Sequence, residues 1–218
     1  MMTPMTDWNH EYLDTPDLFG SEPAPILVRH LESLNRSHPV LDVGCGQGRN
    51  TLYLARHGHT VRALDPSIEA VRQTRASAEA EGLTIQSQCG VLAEVVRPAE
   101  GFGTILVFGL IPILTRTQIN ETVALIESLI APGGHIIITA FTTSDPKFGI
   151  HARHWTEIGK NSFQGPGGDI RTYLEPGELI NFFPDWQLID RWEGLGPEHH
   201  HGDGPPERHG LAEAVLRR

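Results

Sequence analysis

The chain has 218 residues, of which 17 are basic and 27 acidic, giving a net charge of −10 with 39% hydrophobic residues. That length is enough for one α/β domain with a sizeable core. The acidic balance leaves no basic stripe to neutralise phosphates, which argues against nucleic acid or an anionic membrane as a main partner, and no run of about 18 apolar residues is present to span a membrane.

Met1 to Asn9 carries neither a basic end nor an apolar core, so no signal peptide is expected there. With two cysteines, Cys45 and Cys89, the chain suits a reducing compartment better than a disulfide framework, and a cytoplasmic location is expected. Residues 1–38 are read as an N-terminal cap on a single domain covering residues 1–218.

Val40 to Asn50 reads as a buried strand passing through a tight loop into a helix. An acid, Asp42, is followed by glycine at every second position, Gly44, Gly46 and Gly48. Glycine is needed where the backbone takes positive φ or lies against a ligand without a Cβ in the way. The helix after the loop, Asn50 to Arg56 with Gly58 as its stop, offers unpaired N–H groups and its positive dipole end. This is a nucleotide-type site at the carboxyl end of a first strand. A dinucleotide fingerprint would need glycine where Arg49 stands, and a Walker loop would need a Gly-Lys-Ser/Thr ending. Neither is present.

Thr60 to Asp65 is an alternating second strand ending in an acid. A carboxylate at that tip can accept both ribose hydroxyls of an adenosine held over the glycine loop. Pro66-Ser67 opens a helix running to Glu81, with Gly82 as its stop. Leu83 to Gln88 is read as a third strand and Thr104 to Phe108 as a fourth, an apolar run suited to a sheet covered on both faces. Thr115-x-x-Gln118 resembles a capping box opening a helix to Ile130, with Ile119, Val123, Ile126 and Ile130 on one face. Ala131-Pro132-Gly133-Gly134 breaks it, and His135 to Phe141 is the fifth strand.

Residues 142–173 are polar, glycine-rich and weakly periodic, and are read as a lid or acceptor loop. Glu178 to Phe183 follows as a short helix, then strands Trp186 to Trp192 and His209 to Leu216. The loop joining those strands has no helix signal, so they form an antiparallel pair at the sheet edge. The loop holds His199, His200 and His201, for which a solvated role, a base and a metal site are all open. Adjacent histidines cannot easily all face one ion, and no metal is expected.

The Asp42-x-Gly44-x-Gly46-x-Gly48 pattern resembles the first motif of class I S-adenosylmethionine-dependent methyltransferases. Together with Gln47, Arg49-Asn50, Ala63-Leu64-Asp65, Ala131 to Gly134, Pro176 to Leu179 and Asp185-Trp186, it makes residues 7–217 most similar to the small tellurite-resistance (TehB-like) subgroup. The resemblance implies an α/β, Rossmann-like fold, a seven-stranded mostly parallel sheet flanked by helices with its last strand antiparallel. It implies S-adenosylmethionine as cofactor, with Gly44, Cys45, Gly46 and Gly48 carrying the methionine and ribose by backbone contact and Asp42 ordering the loop. Asp65 would take the ribose hydroxyls, Asn50 and Pro66 belong to the same contact set, and Phe108 would lie under the reactive methyl. Where relatives carry an acid for the adenine amine, this chain has only the backbone of Gly90 and Val91 to offer. Pro112 stands where a longer helical turn is more usual. His199 occupies the place of a pocket histidine and is the expected catalytic residue. The implied function is transfer of the sulfonium methyl to a small-molecule acceptor, a thiol or metalloid oxyanion among the candidates. The alternative is an inactive protein that binds the cofactor as a sensor.

Overall fold

The computed structural model describes residues 7–95, 101–200, 202 and 204–218. Two helices, α1 (Trp8–Asp14) and α2 (Pro25–His30), precede the first strand. Five strands then alternate with helices: β1 (Val40–Val43), α3 (Arg49–Arg56), β2 (Val61–Asp65), α4 (Ile68–Ala80), β3 (Gln86–Cys89), α5 (Leu92–Val95), β4 (Phe102–Val107), α6 (Arg116–Leu129) and β5 (Ile130–Phe141). After them come α7 (Phe148–His154) and three short strands, β6 (Thr156–Gly159), β7 (Ser162–Gln164) and β8 (Ile170–Thr172). The long strands β9 (Gln187–Leu195) and β10 (Gly210–Arg217) end the chain.

The main sheet has seven strands in the order β3-β2-β1-β4-β5-β10-β9. The pairings among the first five are parallel, and β10 runs antiparallel to both β5 and β9. The order reverses beside β1, the switch point at which α/β sheets open a crevice at their carboxyl ends. Alternation within each central strand builds both layers of core. Ile105 and Val107 of β4 and Ile136 and Ile138 of β5 pack on the α6 face, while Leu106, Ile137 and Val215 pack with α2 and α3 on the other. The expected capping box is formed: Thr115 accepts from the backbone of Gln118, whose side chain accepts from the Thr115 backbone. Helix α6 ends at Leu129, and Ala131 to Gly134 then bulge out of β5, between the pairings Phe102 to Ile130 and Thr104 to His135.

Residues 142–173 differ from the irregular loop expected. They fold into α7 and a separate three-stranded antiparallel sheet, β6-β7-β8. The strands are too short for a readable period, and their pairing is fixed by tertiary contacts. Ser162 and Thr172 hydroxyls bond at 2.6 Å in the interior, and Phe148, Phe163 and Tyr173 form an aromatic cluster. Thr172 also donates to the carbonyl of Leu114, tying this sheet to the single 3-10 turn Ile111–Ile113 that holds Pro112.

Candidate active site

The crevice at the carboxyl ends of β1, β2 and β4 is lined by the glycine loop. Gly44 and Cys45 donate to the carbonyl of Leu64 at 2.7 and 3.0 Å, which presses the loop onto the tip of β2. Gly44 has φ of +73° and open space over its Cα, a cradle with nothing from the protein in it. Gly48 has φ of +87°, and a Cβ there would lie 2.6 Å from Thr74 Cγ2, so α3 and α4 pack closely only through a glycine. Thr74 also donates to the carbonyl of Gly46 at 2.9 Å.

Two buried acids anchor this loop. Asp65 accepts from the N–H of Gly46 at 2.9 Å and from that of Ser67 at 2.8 Å. Asp42 accepts from the Thr51 hydroxyl at 2.6 Å. Burial pushes the Asp42 carboxyl up to about 6, with the Thr51 bond opposing and the Asp65 charge adding to the rise. Burial also raises Asp65, against its two backbone donors. The Cys45 thiol is raised by burial and then by both acids, so it is a neutral wall of the loop. Burial disfavours the charged form of each carboxylate, and a cationic ligand relieves that cost.

The N-terminal segment covers the crevice. Gln47 holds it with three bonds, accepting from Leu18 N–H at 2.8 Å and donating to the carbonyl of Thr15 and to Gln73, both at 2.9 Å. Tyr12 sits over the loop, such that a Cβ on Gly46 would meet its hydroxyl at 3.1 Å. Burial raises the Tyr12 phenol, and the charge of Asp65 adds to the rise. Trp8 and Phe19 pack on Tyr12, with ring centroids 5.8 and 6.3 Å away.

The other expected residues are placed unevenly. The Asn50 side chain is buried and accepts from Ala24 N–H at 2.8 Å, which makes it a tie to α2. The Pro66 carbonyl receives the Cys89 thiol, and the Gly90 N–H is taken by the carbonyl of Asp65 at 2.9 Å. Val91 is exposed beside it. Phe108 is half-buried against the α2 and α3 layer. His199 is half-buried, with Nδ1 at 3.2 Å from the carbonyl of Pro197. His200 is exposed, and His201 lies outside the described residues. No cluster of three or more metal-ligating side chains occurs among the described residues. His151 is buried against the Tyr173 hydroxyl at 2.7 Å, while Arg153 and His154 are exposed. Sequence reading placed Gln47 in the loop motif without a role, and assigned none to Tyr12, Thr51 or Thr74, although Thr51 lies in the first turn of the helix that the loop opens.

A methyltransferase-domain family model matches residues 40–134. Hemagglutinin 1 of Eikenella corrodens is 29% identical over 73% of this chain and 47% of its own length. The ubiquinone biosynthesis O-methyltransferase of Coxiella burnetii is 28% identical over 72% of this chain and 67% of its own. A probable S-adenosyl-L-methionine-dependent methyltransferase, TehB of Haemophilus influenzae, is 26% identical over 73% of this chain and 50% of its own. The chain thus spans about half the length of several curated relatives it matches. The crystal structure of TehB from Haemophilus influenzae superposes with a TM-score of 0.70 at 22% identity, covering 89% of this chain and 62% of that one. No helix among the described residues is long and apolar enough to cross a membrane. The open cradle at Gly44 and the buried acids Asp42 and Asp65 suit S-adenosylmethionine, a ligand with a sulfonium and an amine, and the chain is similar to S-adenosylmethionine-dependent methyltransferases, TehB among them.

Proposed function

We propose that this chain methylates a small-molecule nucleophile, and the observation that carries the reading is the buried Asp42–Asp65 pair under an open glycine cradle. Gly44, Gly46 and Asp65 would hold the ribose and methionine ends of S-adenosylmethionine, and Asp42 would face its cationic side. The cofactor supplies a methyl group already activated by positive sulfur. What remains for the protein is alignment and exclusion of water, worth several orders of magnitude when reacting atoms are held within about 3 to 3.5 Å. The N-terminal segment, with Tyr12 and Trp8 packed over the loop, is placed to exclude that water.

The acceptor lies between two chemical extremes. A thiolate or metalloid oxyanion is already ionised and needs no base. A hydroxyl, as implied by the name of the ubiquinone O-methyltransferase relative, must lose a proton. The acidic surface, at a net charge of −10, favours a small molecule over nucleic acid. Isothermal titration with S-adenosylmethionine, S-adenosylhomocysteine and NAD tests the cofactor half. Binding of the first two without the third is the expected result, and no binding of S-adenosylmethionine would end the reading.

A further inference from the structure

Strand β9 ends one side of the main sheet, with β10 as its single neighbour, and β3 ends the other. The two edges are built differently. Strand β3 has four polar or small residues, Gln86 to Cys89, a length and composition that offer little to a further strand. Strand β9 has nine, Gln187–Leu195, and both of its faces are open. Leu188, Ile189, Trp192 and Leu195 are 40 to 46% exposed there. A long apolar edge is a template for pairing with another chain unless a bulge, a proline or an inward charge blocks it. A bulge does occur at Ile189, between the pairings of Asp190 with Val215 and of Leu188 with Leu216. It leaves Asp190 to Leu195 in regular register against Val215 to Gly210. The first proline past the strand is Pro197.

The bonds to β10 fix where the backbone groups of β9 point. Gly196 N–H donates to the His209 carbonyl at 2.8 Å, so Gly196 and, at every second residue before it, Gly194, Trp192 and Asp190 turn their N–H and C=O toward β10. Arg191, Glu193 and Leu195 turn theirs toward the open edge. Among the described residues the Asp190 carboxyl reaches the Arg191 N–H, and no partner takes the N–H of Glu193 or Leu195. Arg191 and Glu193 share one face, beside Ala214 and Ala212, and Trp192 lies on the other, beside Glu213. Glu193 accepts from Gly177 N–H at 2.9 and 3.1 Å, and a carboxylate so bonded has lone pairs left for a guanidinium. The Trp192 indole lies along its own strand, where a Cβ on Gly194 would stand 3.0 Å from Cζ2.

We propose that β9 is a homodimer interface, pairing antiparallel with β9 of a second copy about a twofold axis at Trp192, so that two seven-stranded sheets become one. A twofold axis perpendicular to the sheet sets one residue opposite its own copy, which makes each register a choice of centre. Centres at Asp190, Arg191 or Glu193 put like charges directly opposite each other. Centres at Gly194 or Leu195 put an outward-facing residue, Arg191 or Glu193, opposite Pro197, which has no N–H to return. Centres at Ile189 or before it place the bulge inside the paired stretch. The Trp192 centre has none of these faults. It sets Arg191 opposite the partner's Glu193, twice by symmetry, in pairs that exchange both backbone hydrogen bonds. It sets Trp192 against the partner's Trp192 in a non-hydrogen-bonded pair, the closer kind, in which aromatic rings meet across strands. Ile189 and Leu195 close each end as an apolar pair. This matching of charge to charge selects a second copy as the occupant of the edge. The interface does not depend on what the glycine crevice binds.

The test is sedimentation of the full-length chain from about 1 to about 100 µM, the range in which interfaces of modest area associate. The wild-type protein is expected to pass from a species of 24.0 kDa to one of twice that mass. Arg191→Glu sets glutamates opposite each other in both symmetric pairs, and Glu193→Arg does the same with arginines. Each variant alone should associate at least about tenfold more weakly than the wild-type chain. Mixed in equal amounts, the two restore both ion pairs, and a heterodimer of near wild-type affinity is expected. Circular dichroism checks that each variant is folded, Glu193→Arg in particular, which gives up the Gly177 bond. Oxidation reads the register. With Cys89→Ser removing the exposed native thiol, Trp192→Cys should form a disulfide-linked dimer. Asp190→Cys should not, because it lies four residues from its own copy in this register, about 14 Å along the strand. A wild-type chain that stays monomeric through the whole range overturns the proposal. So does a dimer that both charge variants form as readily as the wild-type chain, a mixture that stays monomeric, or cross-linking as efficient at position 190 as at 192.

Discussion

Asp65 fixes the loop geometry and, on the function proposed above, would also recognise the ligand. Its oxygens already receive the N–H groups of Gly46 and Ser67, and a carboxylate has further lone pairs to give to a pair of ribose hydroxyls. Asp65→Ala removes both functions at once. Charged hydrogen bonds are worth about 1.5 to 3 kcal/mol, so S-adenosylmethionine affinity should fall by at least about tenfold. Calorimetry on the variant checks this, and unchanged affinity would reassign the acid to a purely structural role. His199 belongs to a different class of contact. Its ring lies 5.2 Å from that of His209 and its backbone pairs with Glu207, in the loop before β10, so His199→Ala should leave cofactor affinity alone and lower turnover. Equal turnover of both proteins with any productive acceptor would return His199 to the solvated loop.

The cover over the crevice is an element-scale device. Gln47 supplies three of the bonds that engage helix α1, the turn after it and Gln73, beside Asn9, whose side-chain oxygen accepts from the Ser67 hydroxyl at 2.8 Å, and Gln73 and Arg49, which donate to the carbonyls of Tyr12 and Phe19 at 2.8 and 2.9 Å. Gln47→Ala should therefore free residues 8–19 without unfolding the sheet. Hydrogen exchange in that segment should accelerate while exchange in β4 and β5 stays slow, and cofactor release should quicken. Uniform acceleration, or none, would show that the cover is not separately hinged. The sequence announced the strands beneath this cover because β1, β4 and β5 are short apolar runs between glycine or proline breaks, and α6 because its capping box and apolar face agree. It could not announce the cover's contacts, since Tyr12 meets the loop, and Gln47 of the loop meets Thr15 and Leu18, through tertiary packing with no fixed spacing. Strands β6 to β8 were hidden for a related reason: three or four residues give no period, and their pairing depends on Ser162, Thr172 and the aromatic cluster. The buried contact of Asp145 with His209 joins residues on either side of β6 to β9, so only the antiparallel placement of β10 brings it into view.

Asp42 sets a conflict between the stability of the whole molecule and its ligand. In the unfolded chain this carboxyl releases its proton near 3.8, and in the fold only at about 6. Between those values the folded state holds more protons than the unfolded state, so this group lowers stability as pH rises through that window and adds nothing further above it. At 1.36 kcal/mol per pH unit, the loss is at most about 3 kcal/mol. Asp42→Asn keeps an oxygen for the Thr51 hydroxyl and has no charge to bury. The ligand-free variant should accordingly match the wild-type protein near pH 4, gain on it up to about pH 6, and keep a constant lead above, as read from denaturant unfolding across pH. A difference that stays flat over the same window would mean that the crevice is wetter than its burial implies. On the function proposed above the buried charge faces a cation, and excess S-adenosylmethionine stabilises whichever protein binds it more tightly, in proportion to the logarithm of ligand over dissociation constant. At saturating cofactor above pH 6 the wild-type chain should therefore recover or reverse the deficit, and a variant that keeps its full lead under those conditions would remove Asp42 from the cofactor site.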